Sequence, residues 1–252
     1  MRNARGLARP NLGMKAKTMT TVADLGLEPA ARLARQKMSG LARFLARTDE
    51  RIITDYVTSH EVRKLHIGCG ENYIDGWLNA DYDSRSDNVL RFDATRRFPF
   101  ERDIFDFVFT EHMIEHVSYT GARNMLAECY RVLRRGGKIR ISTPDLESVV
   151  ALRNAEKTPQ QVEYIAYHCE AHDSPYQHEV FVINDFFRLW GHIFIYDEES
   201  LKRLMEQVGF VSINRVATGD SGSVEFRGLE NVDRMPAGML DMISFTVEGS
   251  KQ

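Results

Sequence analysis

From residue 63 onward the chain alternates short β-prone runs with helical or turn segments, and the first four runs each end in a glycine or a polar residue. Lys64–Ile67 leads into Gly68-Cys69-Gly70, and Trp77–Tyr82 carries Asp81 at its tip. Val89–Phe92 leads into Asp93-Ala94, and the apolar run Phe105–Thr110 leads into Glu111-His112. Lys138–Ser142, Val211–Val216 and Met242–Val247 read as three further strands. Helices are expected at Tyr119–Leu133, closed by Arg134-Arg135-Gly136-Gly137, and at Glu198–Val208, closed by Gly209. Cations and glycines suit a helix C-terminus. This rhythm predicts an α/β protein with a mostly parallel seven-stranded sheet and helices on both faces. Ligands of such sheets bind outside the carboxyl ends of the strands, where strand order reverses. The residues just after each strand are therefore where chemistry is to be sought.

Gly68 and Gly70, flanked by Ile67 and Cys69, allow a sharp turn and close approach of the backbone to a ligand. A dinucleotide fingerprint needs a third glycine three residues on; Tyr73 stands there, so the expected cofactor has no pyrophosphate. The Asp81 carboxylate can accept from both hydroxyls of a ribose, and Tyr82 can stack on a base. Asp93, next to Ala94, can accept from an exocyclic amine, and Thr110 with Glu111 is placed to line the far end of the cleft. Each feature alone is common, since acids after strands often cap helices. Four successive strand tips of this kind are far more specific.

The segments LHIGCG, LNADYD, RFDAT, FDFVFTEHMIEHV and RVLRRGGKIRISTPDL resemble those of class I S-adenosylmethionine (SAM)-dependent methyltransferases of the small-molecule Methyltransf_11 type, over residues 64 to about 146. HIFIYDEESLKRLMEQVGFVSINRV extends the likeness. The resemblance implies a Rossmann-like fold and SAM as cofactor. It places Gly68 and Gly70 on the amino-acid moiety, Asp81 on the ribose, Asp93 and Ala94 on the adenine, and Thr110 and Glu111 near the methionine portion. The link between the first two strands is shorter than usual in the family, leaving about one turn of the first helix; a bacterial subset shares that compression.

Transfer from a sulfonium needs alignment of donor and acceptor, and a base where the acceptor is a hydroxyl. His112, His116, His192 and Asp145 are the candidates. His112 follows the fourth strand and suits proton transfer. Glu115-His116 serves equally well to fix the loop, and Asp145 to cap the next helix. Residues 146–195 break the strand–helix rhythm with Tyr164, Tyr167, Tyr176, Phe181, Phe186, Phe187 and Trp190, which read as an acceptor-binding lid or a buried cap. His168, Cys169, His172 and His178 fit no standard zinc spacing, and no metal is expected.

A net charge of -3 gives no overall pull towards nucleic acid. No base-flipping motif follows the fourth strand, and no apolar run approaches the roughly 20 residues that span a bilayer. Three separated cysteines imply no disulfide framework, and a cytoplasmic setting is expected. Residues 1–20, basic through Arg2, Arg5, Arg9, Lys15 and Lys17, read as a disordered leader. Residues 21–62 read as a helical segment with an apolar stripe from Ala30 to Leu45, leaving room for a homodimer through it or through the insert. The expected function is methyl transfer to oxygen or nitrogen of a small-molecule or sugar-containing acceptor. The alternative is a non-catalytic regulatory protein that binds SAM or S-adenosylhomocysteine.

Overall fold

The computed structural model describes residues 48–83 and 86–252. The basic leader and most of the N-terminal stripe lie outside the described residues. The stripe's neighbour, Thr48–Ser59, is helix α1. Tyr56 on α1 is buried, and its hydroxyl bridges the backbone of Lys64 and Gly76 at 2.9 and 3.0 Å, which ties α1 to the start of the sheet.

The sheet has seven strands in the order β3-β2-β1-β4-β5-β7-β6. They are β1 (Lys64–Ile67), β2 (Leu78–Asp81), β3 (Leu90–Arg91), β4 (Phe105–Glu111), β5 (Leu133–Pro144), β6 (Val211–Val216) and β7 (Ser244–Ser250). Only β7 runs antiparallel to its neighbours. Strand order reverses between β1 and β4, which pair from Lys64↔Phe107 to Ile67↔Thr110. The glycine turn and residues 110–112 therefore emerge side by side.

Helix α2 (Tyr119–Val132) starts at Ser118, whose side chain accepts from the Gly121 N–H, and buries Ala122, Met125, Leu126 and Cys129 against the sheet. The expected ending of α2 at Arg134–Gly137 is corrected. The helix stops at Val132 because Leu133 already pairs with Phe105 as the first residue of β5. The next pairing is Phe107↔Lys138, so Arg134-Arg135-Gly136-Gly137 bulges out of the ladder, with Gly136 at φ 75°. A positive φ explains a glycine there without a helix cap.

Three helices make up the insert: α3 (Leu146–Ala151), α4 (Pro159–Ala171) and α5 (Glu179–Arg188). They share an apolar cluster distinct from the main core, with Val149, Tyr164, Cys169, Val182 and Phe186 buried in it. Helix α6 (Glu198–Val208) follows as expected, opened by an Asp197–Ser200 capping box and closed by left-handed Gly209. A short α7 (Met239–Ile243) then leads into β7.

His66 on β1 is buried between Asn79, which it meets at 3.0 Å, and the Phe109 ring. Burial lowers its pKa from 6.5 to about 4. The unfolded chain thus takes up this proton first on acidification. The His66 contribution is complete above about pH 6.5 and is lost as pH falls to about 4, a difference of ~3 kcal/mol at ~1.4 kcal/mol per tenfold of protonation. Denaturant titrations of wild type and His66→Gln should differ in slope across that window. Parallel curves would show that His66 does not carry this part of the acid sensitivity.

Candidate functional site

Three polar strand tips converge beside the β1–β4 junction. Gly68 and Gly70 adopt φ of 72° and 53°, and the Gly68 and Cys69 N–H groups both donate to the Ala80 carbonyl. A Cβ at Gly68 would come within 2.4 Å of the Met113 side chain, so this glycine is required by packing between β1 and the loop after β4. A Cβ at Gly70 would meet nothing within 4 Å, leaving open space above the turn. The Asp81 carboxylate accepts from the Gly70 N–H at 3.0 Å and the Asp83 N–H at 2.9 Å. Each oxygen keeps lone-pair capacity for a ligand hydroxyl. Tyr82 beside it is exposed.

Asp93 is held by Thr95 and Arg96. Burial pushes its carboxyl up, but the Thr95 and Arg96 bonds outweigh that and hold it below the usual carboxylate range. Ala94 is buried next to it. The Thr110 hydroxyl is buried at the tip of β4 without a hydrogen-bond partner among the described residues. Open space at Gly70, a carboxylate at the neighbouring tip and an orphaned hydroxyl fit a nucleoside cofactor with a polar tail.

Glu111, expected near the methionine portion, has protein partners of its own. Its carboxylate accepts from the Asn231 N–H and pairs with Arg234 at 2.7 Å, so it is committed to the connection between β6 and β7. Burial raises its pKa in spite of Arg234. Glu111 holds Arg234 at the edge of the cavity described next, a cation that no motif in the sequence pointed to.

A cavity of about 370 Å³ lies between the tips of β4 and β5 and the helical insert. His112, Glu115, His116 and His192 line it together with Tyr164, Tyr167, His168, His172 and Trp190. Tyr176, Phe181 and Phe187 are not among its walls; Tyr176 instead packs on Phe181. The structure therefore brings together three of the four candidate bases. Asp145 is not among the lining residues. It accepts from the Glu147 N–H as the cap of α3 and pairs with Arg215 at 3.1 Å, so its oxygens serve α3 and β6.

His112 has φ 49°, and its N–H donates to the Ser142 carbonyl. Its Nε2 lies 3.1 Å from the Ser244 hydroxyl at the start of β7. Its Nδ1 lies 3.3 Å from Glu115 Oε1, close enough for attraction but off hydrogen-bond geometry. Glu115 is fully buried, and its Oε2 accepts from the Thr143 hydroxyl at 3.0 Å. Burial alone would raise the Glu115 carboxyl; the His112 ring and other partners prevail and hold it low. The Glu115 carbonyl also accepts from Ile193 and Phe194, which anchors the strand-like segment carrying His192. The sequence reading of Glu115 as a loop-fixing residue describes only part of what it does.

Of the residues considered together for a metal, His168 and His172 pack with ring centroids 4.4 Å apart, but no three of the four converge on one point. His168 pairs with Asp185 at 2.9 Å, His178 caps α5 and Cys169 Sγ faces the His178 carbonyl. Burial, the larger influence, lowers the His168 pKa despite Asp185.

Residues 65–141 match the family model Methyltransf_11, a methyltransferase domain. That span covers the glycine turn, Asp81, Asp93, His112 and Glu115, and reaches into β5. No curated protein matches the chain. Among solved structures it is similar to Haemonchus contortus phosphoethanolamine N-methyltransferase 2 in complex with phosphomonomethylethanolamine and S-adenosylhomocysteine, at 15% identity and TM-score 0.39. That match covers 75% of this chain and 48% of the other, so this chain spans about half the length of the Haemonchus enzyme. A Thermotoga maritima SAM-dependent methyltransferase, described as a possible histamine N-methyltransferase, is 17% identical with TM-score 0.46, covering 88% of this chain and 99% of that one. An Archaeoglobus fulgidus SAM-dependent methyltransferase is 17% identical with TM-score 0.44, covering 92% and 100%.

Proposed function

We propose that this chain, whose residues 65–141 match a methyltransferase domain model, is a class I SAM-dependent methyltransferase that methylates an oxygen or nitrogen of a small-molecule or sugar-containing acceptor held in the histidine-lined cavity. One observation supports this reading above the others. The loop after β4 packs Met113 on Gly68 of the cofactor turn and lines the cavity with His112 and Glu115. The glycine turn and the cavity thus share one short segment, which supports a donor bound on one side of it and an acceptor on the other.

SAM, when bound, supplies a methyl group on an activated sulfonium. Asp81 offers the ribose acceptor oxygens; the Gly70 turn leaves room for the amino-acid end; Asp93 and Ala94 stand where the adenine is expected. His112 is the proton acceptor, held between Glu115 and Ser244. Tyr164, Tyr167 and Trp190 give the cavity aromatic walls suited to a compact ligand. No helix among the described residues is long and apolar enough to cross a membrane.

Incubation with methyl-labelled SAM and pools of sugar nucleotides, glycans and metabolite extracts tests the proposal. Labelled product is expected from one pool. Asp81→Ala should abolish it and weaken SAM binding by about 100-fold or more, as expected when charge-assisted hydrogen bonds worth ~1.5–3 kcal/mol each are removed. Tight SAM binding with no product from any pool would favour the regulatory alternative. Undiminished affinity in Asp81→Ala would remove Asp81 from the cofactor site.

A further inference from the structure

We propose that the cavity holds a divalent metal ion of the zinc and iron class, ligated by His116, His192 and Glu115. These three side chains each present a ligand atom within 4.8 Å of the other two. They come from the turn after β4 and from the segment after α5, far apart in sequence, which is why no local spacing revealed them. The His116 and His192 rings stand edge to face with centroids 5.0 Å apart.

Three further features point to a ligand. Glu115 is fully buried, yet its Oε1 has no hydrogen-bond partner among the described residues. An unpaired carboxylate oxygen in that position is costly unless something positive faces it. His112 Nδ1 stands 3.3 Å from that oxygen but outside good hydrogen-bond geometry, so the oxygen keeps lone-pair capacity for a cation. His192 Nδ1 lies 2.8 Å from the Phe186 carbonyl, which can only accept, so Nδ1 carries the proton and the Nε2 lone pair is free. A ring nitrogen fixed through a carbonyl on the opposite side is the usual support of a metal-ligating histidine. Lastly, the Glu115 Oε2–Thr143 bond orients the carboxylate in the same supporting manner.

Two imidazoles and one carboxylate suit Zn²⁺ or Fe²⁺ and leave positions open for an exogenous ligand. If the acceptor occupies this cavity as proposed above, its hydroxyl can take an open position and become more acidic. The proton then passes to His112, the oxygen forms its bond to the methyl carbon, and the carbon–sulfur bond breaks to release S-adenosylhomocysteine. That role rests on the acceptor reading; metal binding itself does not.

The test uses the full chain without an affinity tag, stripped with a chelator and titrated with Co²⁺ alone. Visible absorption bands saturating at one equivalent, and removed by Zn²⁺, are expected. His116→Ala should weaken Co²⁺ at least ~100-fold, since loss of supporting groups alone costs 10–100-fold. His60→Ala, a histidine that does not line the cavity, should bind Co²⁺ like wild type. Circular dichroism and SAM binding check that each variant folds, and His192→Ala replaces His116→Ala if the latter does not. No saturable band in the wild type would overturn the site, as would a band that survives both His116→Ala and His192→Ala. A chain that binds Co²⁺ at these residues but methylates nothing would contradict the acceptor reading and leave the metal site standing.

Discussion

His112→Ala is expected to lower kcat for methyl transfer by about 10²–10⁴ while changing SAM affinity by no more than a few-fold. The range is that of a general base removed from a reaction that alignment still favours. The two effects separate because His112 touches Glu115 and Ser244 and lines the cavity proposed for the acceptor, whereas Gly70 and Asp81, proposed for the cofactor, bond to each other. Steady-state kinetics with the acceptor found by the labelling screen, together with calorimetry of SAM, gives both numbers. Equal losses in turnover and SAM affinity would show that His112 merely supports the loop that packs on Gly68. A kcat within ~3-fold of wild type would remove it from the chemistry altogether, since a base is worth far more than that.

The largest effect on stability is expected at Arg140, whose side chain on β5 is fully buried in a nest of acceptors. Its guanidinium bonds Glu230 at 2.6 Å, Glu248 of the neighbouring β7 at 2.5 Å and the Asp220 carbonyl at 2.8 Å. Removing one member of a buried charge pair leaves the others desolvated and unpaired, which costs ~3–5 kcal/mol. Arg140→Ala should lose about that much in denaturant unfolding, with a drop in Tm of roughly 10 °C for a domain of this size. A triple change that replaces Arg140, Glu230 and Glu248 by apolar residues should recover part of the loss, because the penalty lies in the unpaired charges. A loss below ~1 kcal/mol in Arg140→Ala would mean that water reaches the pair.

Much of the sheet was legible in the sequence because its signals are local. Apolar β-prone runs of four to seven residues bounded by glycine or acid gave β1, β4 and β6 nearly to the residue, and the Asp197 and Gly209 ends of α6 carry their own capping chemistry. Arg134–Gly137 misled for a physical reason: the same residues that close a helix also form a bulge, and only the pairing of Leu133 with Phe105 decides between them. At the candidate site, the position of the glycine turn and Asp81 at neighbouring strand tips could be read from their place after strands. Glu111 could not, because its partners Asn231 and Arg234 lie some 120 residues away in sequence. Asp145 shows the reverse case, in which a short-range rule, the acid before a helix, described it better than its nearness to a strand tip. His116 and His192 were visible as single candidates, but their meeting with Glu115 depends on the insert folding back over β4.

The backbone of His112 sits in a region of φ that favours glycine, at a cost of about 1 kcal/mol or more for any residue with a Cβ. A glycine at that corner would relax the chain and give up the imidazole. Drift towards a sturdier protein therefore pushes position 112 one way, while retention of the ring pushes it the other. Among homologues, those that have abandoned turnover should be the ones free to carry glycine or asparagine at this bend.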